Sequence, residues 1–600
     1  MHPPASDFHI YFLLISSLSP SLFIHTMKPS TALFLFSVTL LSFTQAFEPA
    51  FHIFPYLQKF QKFGIQETPP AEPLATSDYP EYNFSVPVDH FHNESRYAPH
   101  SNDFFNLRYW FDARHYQEGG PVFVIAAGEG DGTARFPFLS KGIISQLAKT
   151  YHGIGVILEH RYYGKSFPVE NLTTENIRFL STDQAIADYA YFASHIVFPG
   201  LEHLNLTAPR VPWIAYGGSY AGAFVAFLRK LYPDTYWGAV SSSGVTKAIE
   251  DYWEYMEPIR QFAPSDCVTS QQTFIDIVDK ILIDHASNKT VKKQLKSAFG
   301  LNSQLPLNDT DFAALLTSPL GSFQARNWDP EVGSGDFKQY CANITSSDLL
   351  YPDTAAAVGS SVKELVGVAG YDAANSSLVT GMLNYAGYFN KTLFSDLQPP
   401  SPVSSVALSS PETLRRSSSV SWGYQVCTEW GYFQIGASVP SDILPLVSRL
   451  VDLPYASAFC AEDFNITTPP NTDIINKHGG FNFSYPRVAI IDGLADPWRL
   501  ATPHADVAPV RQSTDDEPFL LLDLAAEDVW DGMRGAVHHW DQNGLSDKEL
   551  EGGKQPPQVI VDIHEEVMRF VGVWLGQWKS SNWLPHIKDN QHGQQVMGVE

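Results

Sequence analysis

The sequence predicts an α/β fold: one mostly parallel sheet that is completed only after a long, mainly helical insertion. Three observations carry this expectation. Alternating strand and helix signals run from about Phe91 to Gly244 and include a glycine-rich strand-to-helix turn. From about Val245 to Phe483 the pattern is predominantly helical. Between Ser484 and Trp578 two further apolar strands are each followed by a loop carrying ionisable residues, and a last helix closes the series.

Two apolar blocks open the chain. From Met27 the stretch MKPSTALFLFSVTLLSFTQA has a basic start at Lys28, an apolar core from Ala32 to Phe43 and the small Ala46 before a cut, the pattern of a secretory signal. The block before it, Ile10 to Ile24, is broken by Pro20 and several serines, so translation is expected to begin at Met27. An uncleaved anchor made from both blocks is the competing reading, but His25, Lys28 and two prolines interrupt such a span. No later segment is long and apolar enough to cross a bilayer, so no stable span is expected in the mature chain. The expected organisation is a signal region 1–46, a first sheet segment 47–244, a helical cap insertion 245–483, a second sheet segment 484–580 and a tail 581–600.

The first segment ends in its most informative feature. Val211 to Tyr216 is a short apolar run of strand character, and Ala223 to Tyr232 has helical character and stops at Pro233. Between them, in Gly217-Gly218-Ser219-Tyr220-Ala221-Gly222, Ser219 sits on a turn whose neighbours are small, as a sharp elbow between strand and helix requires. Such a turn projects a hydroxyl at the sheet's carboxyl edge, beside the first N–H groups of the helix. Ala221 departs from the G-x-S-x-G pattern, and an incidental serine on a structural turn is the competing reading. An oxyanion formed by attack of Ser219 on a carbonyl needs donors: the Tyr220 N–H is one, and the loop after Pro121 to Ala126, at Gly128, is the candidate for the other. The run GEGDGT has neither the Walker lysine nor dinucleotide spacing, so a phosphate cradle is not expected.

An activated serine needs a base and the base needs an orienting acid. The strand pattern Arg487 to Ile491 leads to Asp492-Gly493-Leu494-Ala495-Asp496-Pro497-Trp498, where Asp496 begins a turn fixed by Pro497. The strand Phe519 to Leu522 leads, after a short segment, to Gly535-Ala536-Val537-His538-His539-Trp540-Asp541. The order Ser219, Asp496, His538 is that of α/β hydrolases and of neither chymotrypsin nor subtilisin, so it speaks for fold as well as chemistry. Chemistry alone does not choose between His538 and His539.

In the insertion, Gln272 to His285 and Val291 to Phe299 read as helices, and the Ser/Pro-rich stretch Pro399 to Ser421 as a loop. The chain's four cysteines, Cys267, Cys341, Cys427 and Cys460, all fall here, an even number that points to two disulfides in a secreted protein. Three pairings exist, of which we expect the neighbour pairing. With no C-x-x-C and no H-E-x-x-H, neither a metal nor a cofactor is expected. A formal net charge of −25 and the lack of clustered Lys and Arg argue against nucleic acid or anionic membranes as partners. Sequons at Asn83, Asn93, Asn171, Asn205, Asn288, Asn308, Asn343, Asn375, Asn390, Asn465 and Asn482 are candidate glycan sites. Oligomeric state is not readable.

The blocks GGSYAG, EHRYYGKS (Glu159 to Ser166), FLSTDQAIAD (Phe179 to Asp188), WGYQVCTE (Trp422 to Glu429), GLADPW and GAVHHWD resemble, in order, those of the lysosomal Pro-Xaa carboxypeptidase and dipeptidyl peptidase II family. The resemblance spans roughly Tyr82 to Trp578. It implies an α/β-hydrolase sheet with a helical cap, Ser219 as nucleophile, Asp496 as the orienting acid and His538 as base, although Val537 is inserted where relatives read GAHH. It also implies cleavage of peptide or protein substrates after proline, with Trp498 lining an apolar slot, in a secreted setting or an acidic vacuolar or lysosomal one. The pair Cys427 with Cys460 resembles one in the family. Glu129, Glu159 and Glu429 could read a free chain end or be structural carboxylates. An esterase on the same sheet and a noncatalytic hydrolase-fold protein are the alternative functions, and exo- or endopeptidase mode stays open.

Overall fold

Short, apolar, β-branched runs build an eight-stranded sheet in the computed structural model, which describes residues 79–301, 307–330, 332–394, 416–524 and 532–580. The signal region, the tail and residues 399–415 of the Ser/Pro-rich stretch lie outside them. In chain order the strands are β1 (Tyr82–Pro87), β2 (Phe104–Asp112), β3 (Val122–Ala126), β4 (Ile154–Leu158), β5 (Trp213–Gly218), β6 (Gly238–Ser242), β7 (Ile249–Asp251), β8 (Gly431–Phe433), β9 (Val488–Gly493) and β10 (Phe519–Leu522). The large sheet runs β1-β2-β4-β3-β5-β6-β9-β10, antiparallel over its first two pairings and parallel over the rest. β3 and β4 are buried at every position, as strands covered by helices on both faces must be, while edge strand β1 alternates exposed with part-buried residues.

The chain order places the site. After β3 the chain crosses to β4 on one side and then returns to β5 on the other, so β3 and β5 are parallel neighbours, with Ile125 opposite Tyr216. This reversal is a topological switch point, where the carboxyl ends of adjacent strands leave a crevice. The helix Tyr220–Leu231 follows β5 directly, three residues earlier than the sequence pattern indicates, because Ser219 itself starts it.

β6 and β9 pair in register, Ala239 opposite Val488, although the whole insertion separates them. The insertion carries helices Ser265–Asp279, Lys289–Ala298, Asp336–Thr345, Pro352–Val368, Ser376–Phe389 and Leu453–Phe464, with β7 and β8 forming a small parallel pair. The helix expected at Gln272 to His285 begins earlier, at Ser265 after Pro264, and ends in a π turn at Lys280–Asp284. One correction concerns the Ser/Pro-rich stretch: Ser418–Gln425 is helical, since serines suit a helix's first turn and Trp422 supplies a buried anchor. Cys267 bonds Cys341, and Cys427 bonds Cys460. Among the described residues no helix is long and apolar enough to cross a membrane.

Candidate active site

Ser219 holds φ 60° and ψ −130°, a conformation that costs an L-residue about 1–3 kcal/mol and persists only when its surroundings enforce it. The enforcement is local. The Ser219 N–H donates to Ser242 O of β6 at 2.9 Å, and the Gly222 N–H to Ser219 O at 2.9 Å. A Cβ on Gly217 would come 2.0 Å from Ala221 O, and one on Gly222 would come 2.7 Å from Ser242 O, so both positions exclude any side chain. Ala221 is tolerated because its Cβ faces Gly128: a side chain there would begin 3.3 Å away, and Gly128 has φ 72°. The loop after β3 thus lies directly against the elbow, with the Tyr220 N–H opening the helix beside it.

Asp496 follows β9 and His538 follows β10, the next two strands along the carboxyl edge from β6. They meet directly: His538 Nδ1 lies 2.8 Å from Asp496 Oδ2, both groups being almost fully buried. Asp496 Oδ1 accepts the Trp498 N–H at 2.9 Å, so both carboxylate oxygens are engaged. His539 sets its ring, tilted by 51°, 4.5 Å from that of His538 and donates its backbone N–H to Ser243 Oγ at 2.9 Å. Burial, His538 and Arg135 hold its imidazole well below the ordinary histidine range, hence neutral.

Trp498 is buried inside an aromatic box. It lies 5.5 Å from Tyr252, 5.2 Å from Tyr255 and 5.0 Å from Tyr432, all contributed by the insertion, and its Nε1–H donates to Gln324 Oε1 at 2.6 Å. The three glutamates separate. Glu159 is fully buried and tied to Arg108, Ser166 and the Gly132 N–H; Glu429 accepts the N–H and hydroxyl of Thr182 at the start of helix Thr182–His195. Both are structural. Glu129, half-buried after β3, has its carboxyl pushed up by burial, while the positive field of Arg135 and His538 acts in the opposite sense.

Several further residues surround the site, Arg135 outside every sequence block and Asp541, His160 and Gln425 inside blocks but without a predicted role. Arg135, half-buried, donates Nε–H to Ala127 O at 3.0 Å, and its Nη2 lies 3.9 Å from the point where a side chain at Gly128 would begin. Asp541, pushed up to about 6 by burial, accepts from Ser242 Oγ at 2.6 Å and from Tyr216 Oη, bracing β5 and β6 beneath the elbow. His160 bridges Arg161 O and Tyr220 Oη at 2.7 and 2.9 Å and is lowered to about 4 by burial. Gln425 Nε2–H, from the block WGYQVCTE, donates to the same Tyr220 Oη at 3.1 Å. Of the sequon asparagines, Asn343 and Asn390 are part-buried and the others exposed.

A parallel sheet in this strand order, with a strained serine elbow at its switch point, makes the protein an α/β hydrolase. The family model for serine carboxypeptidase S28 matches residues 87–509, taking in Ser219 and Asp496 and ending before His538. The chain belongs to this family of serine peptidases. It is 46% identical over 503 residues to a probable extracellular serine carboxypeptidase of Arthroderma benhamiae, covering 83% of this chain and 68% of that one. It is 28% identical over 436 residues to the serine protease vicPa of Bipolaris victoriae, covering 70% and 79% of the two chains. To the thymus-specific serine protease of Mus musculus it is 25% identical over 507 residues, covering 78% and 86%.

Proposed function

We propose that this chain is a secreted serine carboxypeptidase that releases the residue after a proline, through an acyl-enzyme on Ser219. His538 Nε2 takes the Ser219 proton as the hydroxyl attacks the carbonyl, then delivers it to the leaving amine; water repeats the cycle on the acyl-enzyme. Asp496 keeps the proton of the neutral imidazole on Nδ1 and stabilises the imidazolium. The Tyr220 N–H and the backbone at Gly128 receive the oxyanion. The observation that carries this reading is the buried His538–Asp496 contact on the strands beyond a strained serine elbow, in a chain of the S28 family.

The aromatic box around Trp498 supports proline as the residue before the scissile bond, since a compact, rigid, apolar ring fills such a slot at little entropic cost. Because three of its walls come from the insertion, that helical segment acts as a cap over the sheet's carboxyl edge. Arg135 supports the exopeptidase mode. Among the described residues its Nε–H donates to Ala127 O, and the Nη2 edge, next to Gly128, is suited to a terminal carboxylate. The signal pattern, two disulfides and an extracellular relative support secretion.

Mass-spectrometric mapping of products from a mixed peptide pool tests both claims. Single-residue loss after proline is expected from free carboxyl ends, with amidated counterparts spared. Internal cleavage, or indifference between matched Pro-Xaa and Ala-Xaa ends, would overturn it.

A further inference from the structure

We infer that the loop between β1 and β2 forms a divalent transition-metal site from Asp89, His92 and His100. Each offers one ligand atom, and the three atoms lie within 4.8 Å of one another. The carboxylate is the built part. Asp89 is 2% exposed, and its Oδ1 is held from behind by the Phe91 N–H at 2.9 Å and Gln184 Nε2–H at 2.7 Å. That leaves Oδ2 directed outward, 2.7 Å from His100 Nδ1. The His92 ring is 5.5 Å from the His100 ring; His92 is exposed and the His100 side chain is part-buried, so a solvent ligand can complete the shell from the His92 side. His90, between Asp89 and His92 in sequence, is turned away to Asp188 at 2.8 Å and takes no part.

The donor set selects the ion. Two imidazole nitrogens and one carboxylate oxygen suit Zn²⁺, Ni²⁺ or Cu²⁺, whereas Ca²⁺ and Mg²⁺ require oxygen shells. A carboxylate whose other oxygen is fixed by an amide and a backbone N–H has the outer-shell support that orients metal ligands. Bond lengths of about 2.0–2.1 Å place tetrahedral ligand atoms roughly 3.3 Å apart, so the Asp89–His100 pair opens by about 0.6 Å as the metal replaces their shared proton. Because Gln184 lies on helix Thr182–His195, the ion would clamp the β1–β2 loop to that helix. Its effect is on stability, and the hydrolytic residues lie elsewhere in the chain.

Full-length secreted protein, stripped with chelator, would be titrated with Zn²⁺ against a chromophoric chelator, and with Co²⁺ by visible absorption. One equivalent of Zn²⁺ is expected, with visible Co²⁺ bands of a four- or five-coordinate site and a raised Tm. His92→Ala and His100→Ala should each weaken binding at least about tenfold, whereas His203→Ala, at an exposed histidine outside the cluster, should bind as wild type. The variants replace an exposed side chain at His92 and a part-buried one at His100, and unchanged circular dichroism and peptide hydrolysis would certify the fold. No saturable binding in wild type, or equal stoichiometry in the His92→Ala/His100→Ala double variant, would overturn the assignment.

Discussion

Asp496→Asn exchanges one oxygen of a fully buried carboxylate for an NH2 and leaves the shape of the site intact. In the native arrangement Oδ1 accepts the Trp498 N–H at 2.9 Å and Oδ2 accepts from His538 Nδ1 at 2.8 Å. A backbone N–H can only donate, so the single oxygen of the new amide must face Trp498. The opposite orientation would set two donors together in a buried site, at about 1–3 kcal/mol. The NH2 therefore points at His538 Nδ1, which becomes an acceptor, and the ring proton moves to Nε2. That is the atom that must receive the Ser219 proton. A wrong tautomer at this position of a serine triad costs about 10⁴ in kcat, or about 5.4 kcal/mol at 1.36 kcal/mol per decade. We expect that loss in steady-state kcat on a fluorogenic proline peptide, with KM nearly unchanged because Asp496 is not placed against the substrate. Thermal unfolding should stay close to wild type. If a folded Asp496→Asn protein kept more than about one-tenth of kcat, Asp496 would not be orienting the base.

His538→Ala should lose several orders of magnitude in kcat and His539→Ala far less, both with native circular dichroism; the reverse ranking would move the base by one residue. Arg135→Ala should raise KM for free-carboxyl peptides at least about tenfold while leaving any residual hydrolysis of amidated peptides unaltered; a parallel change in both would remove the carboxylate role. Glu429 is held up at about 7 by burial, against 4.5 for the unperturbed group. The folded state therefore binds the extra proton between those values, and this group's contribution to stability falls as pH rises from about 4.5 to about 7. Glu429→Gln should gain relative to wild type across that window, by on the order of 1–3 kcal/mol at pH 8. A Tm difference independent of pH between 4.5 and 8 would contradict it.

Strands were legible wherever burial forces an apolar run. β10 coincides with the Phe519 to Leu522 pattern, whereas β5 lies two residues beyond its expected place at both ends. Its last residues, Gly217 and Gly218, have no β-propensity yet pair with Ser241 and Ser242. The helix after Ser219 was read three residues late for a similar reason: Tyr220, Ala221 and Gly222 take helical form because the elbow requires it. Asp496 and the His538-His539 loop were readable because strand–loop order carries them, while the preference for His538 came from the family resemblance. The walls of the Trp498 box were not, since Tyr252, Gln324 and Tyr432 come from segments far apart in the chain and meet only through packing. Arg135 looks like an ordinary loop residue in sequence, and Asp541, though inside the GAVHHWD block, gives no sign there of its bonds to Ser242 and Tyr216. The Asp89, His92, His100 cluster falls outside the thiolate and H-E-x-x-H spacings by which zinc sites are recognised, and only the turn of the loop unites it.

The pairing of β6 with β9 sets an order of assembly. A ribosome delivers the serine elbow and six of the sheet's eight strands first, then some 245 residues of insertion, counted from Ser242 to Val488, and only afterwards the strands that lead to Asp496 and His538. Contacts of such long sequence separation form late, because the entropy of closing the intervening loop must be overcome before they contribute. Both disulfides lie wholly inside the insertion and can close before β9 arrives. On the proposed mechanism, the nascent chain carries Ser219 with no base beside it, and hydrolytic competence would be gained only when translation is nearly finished.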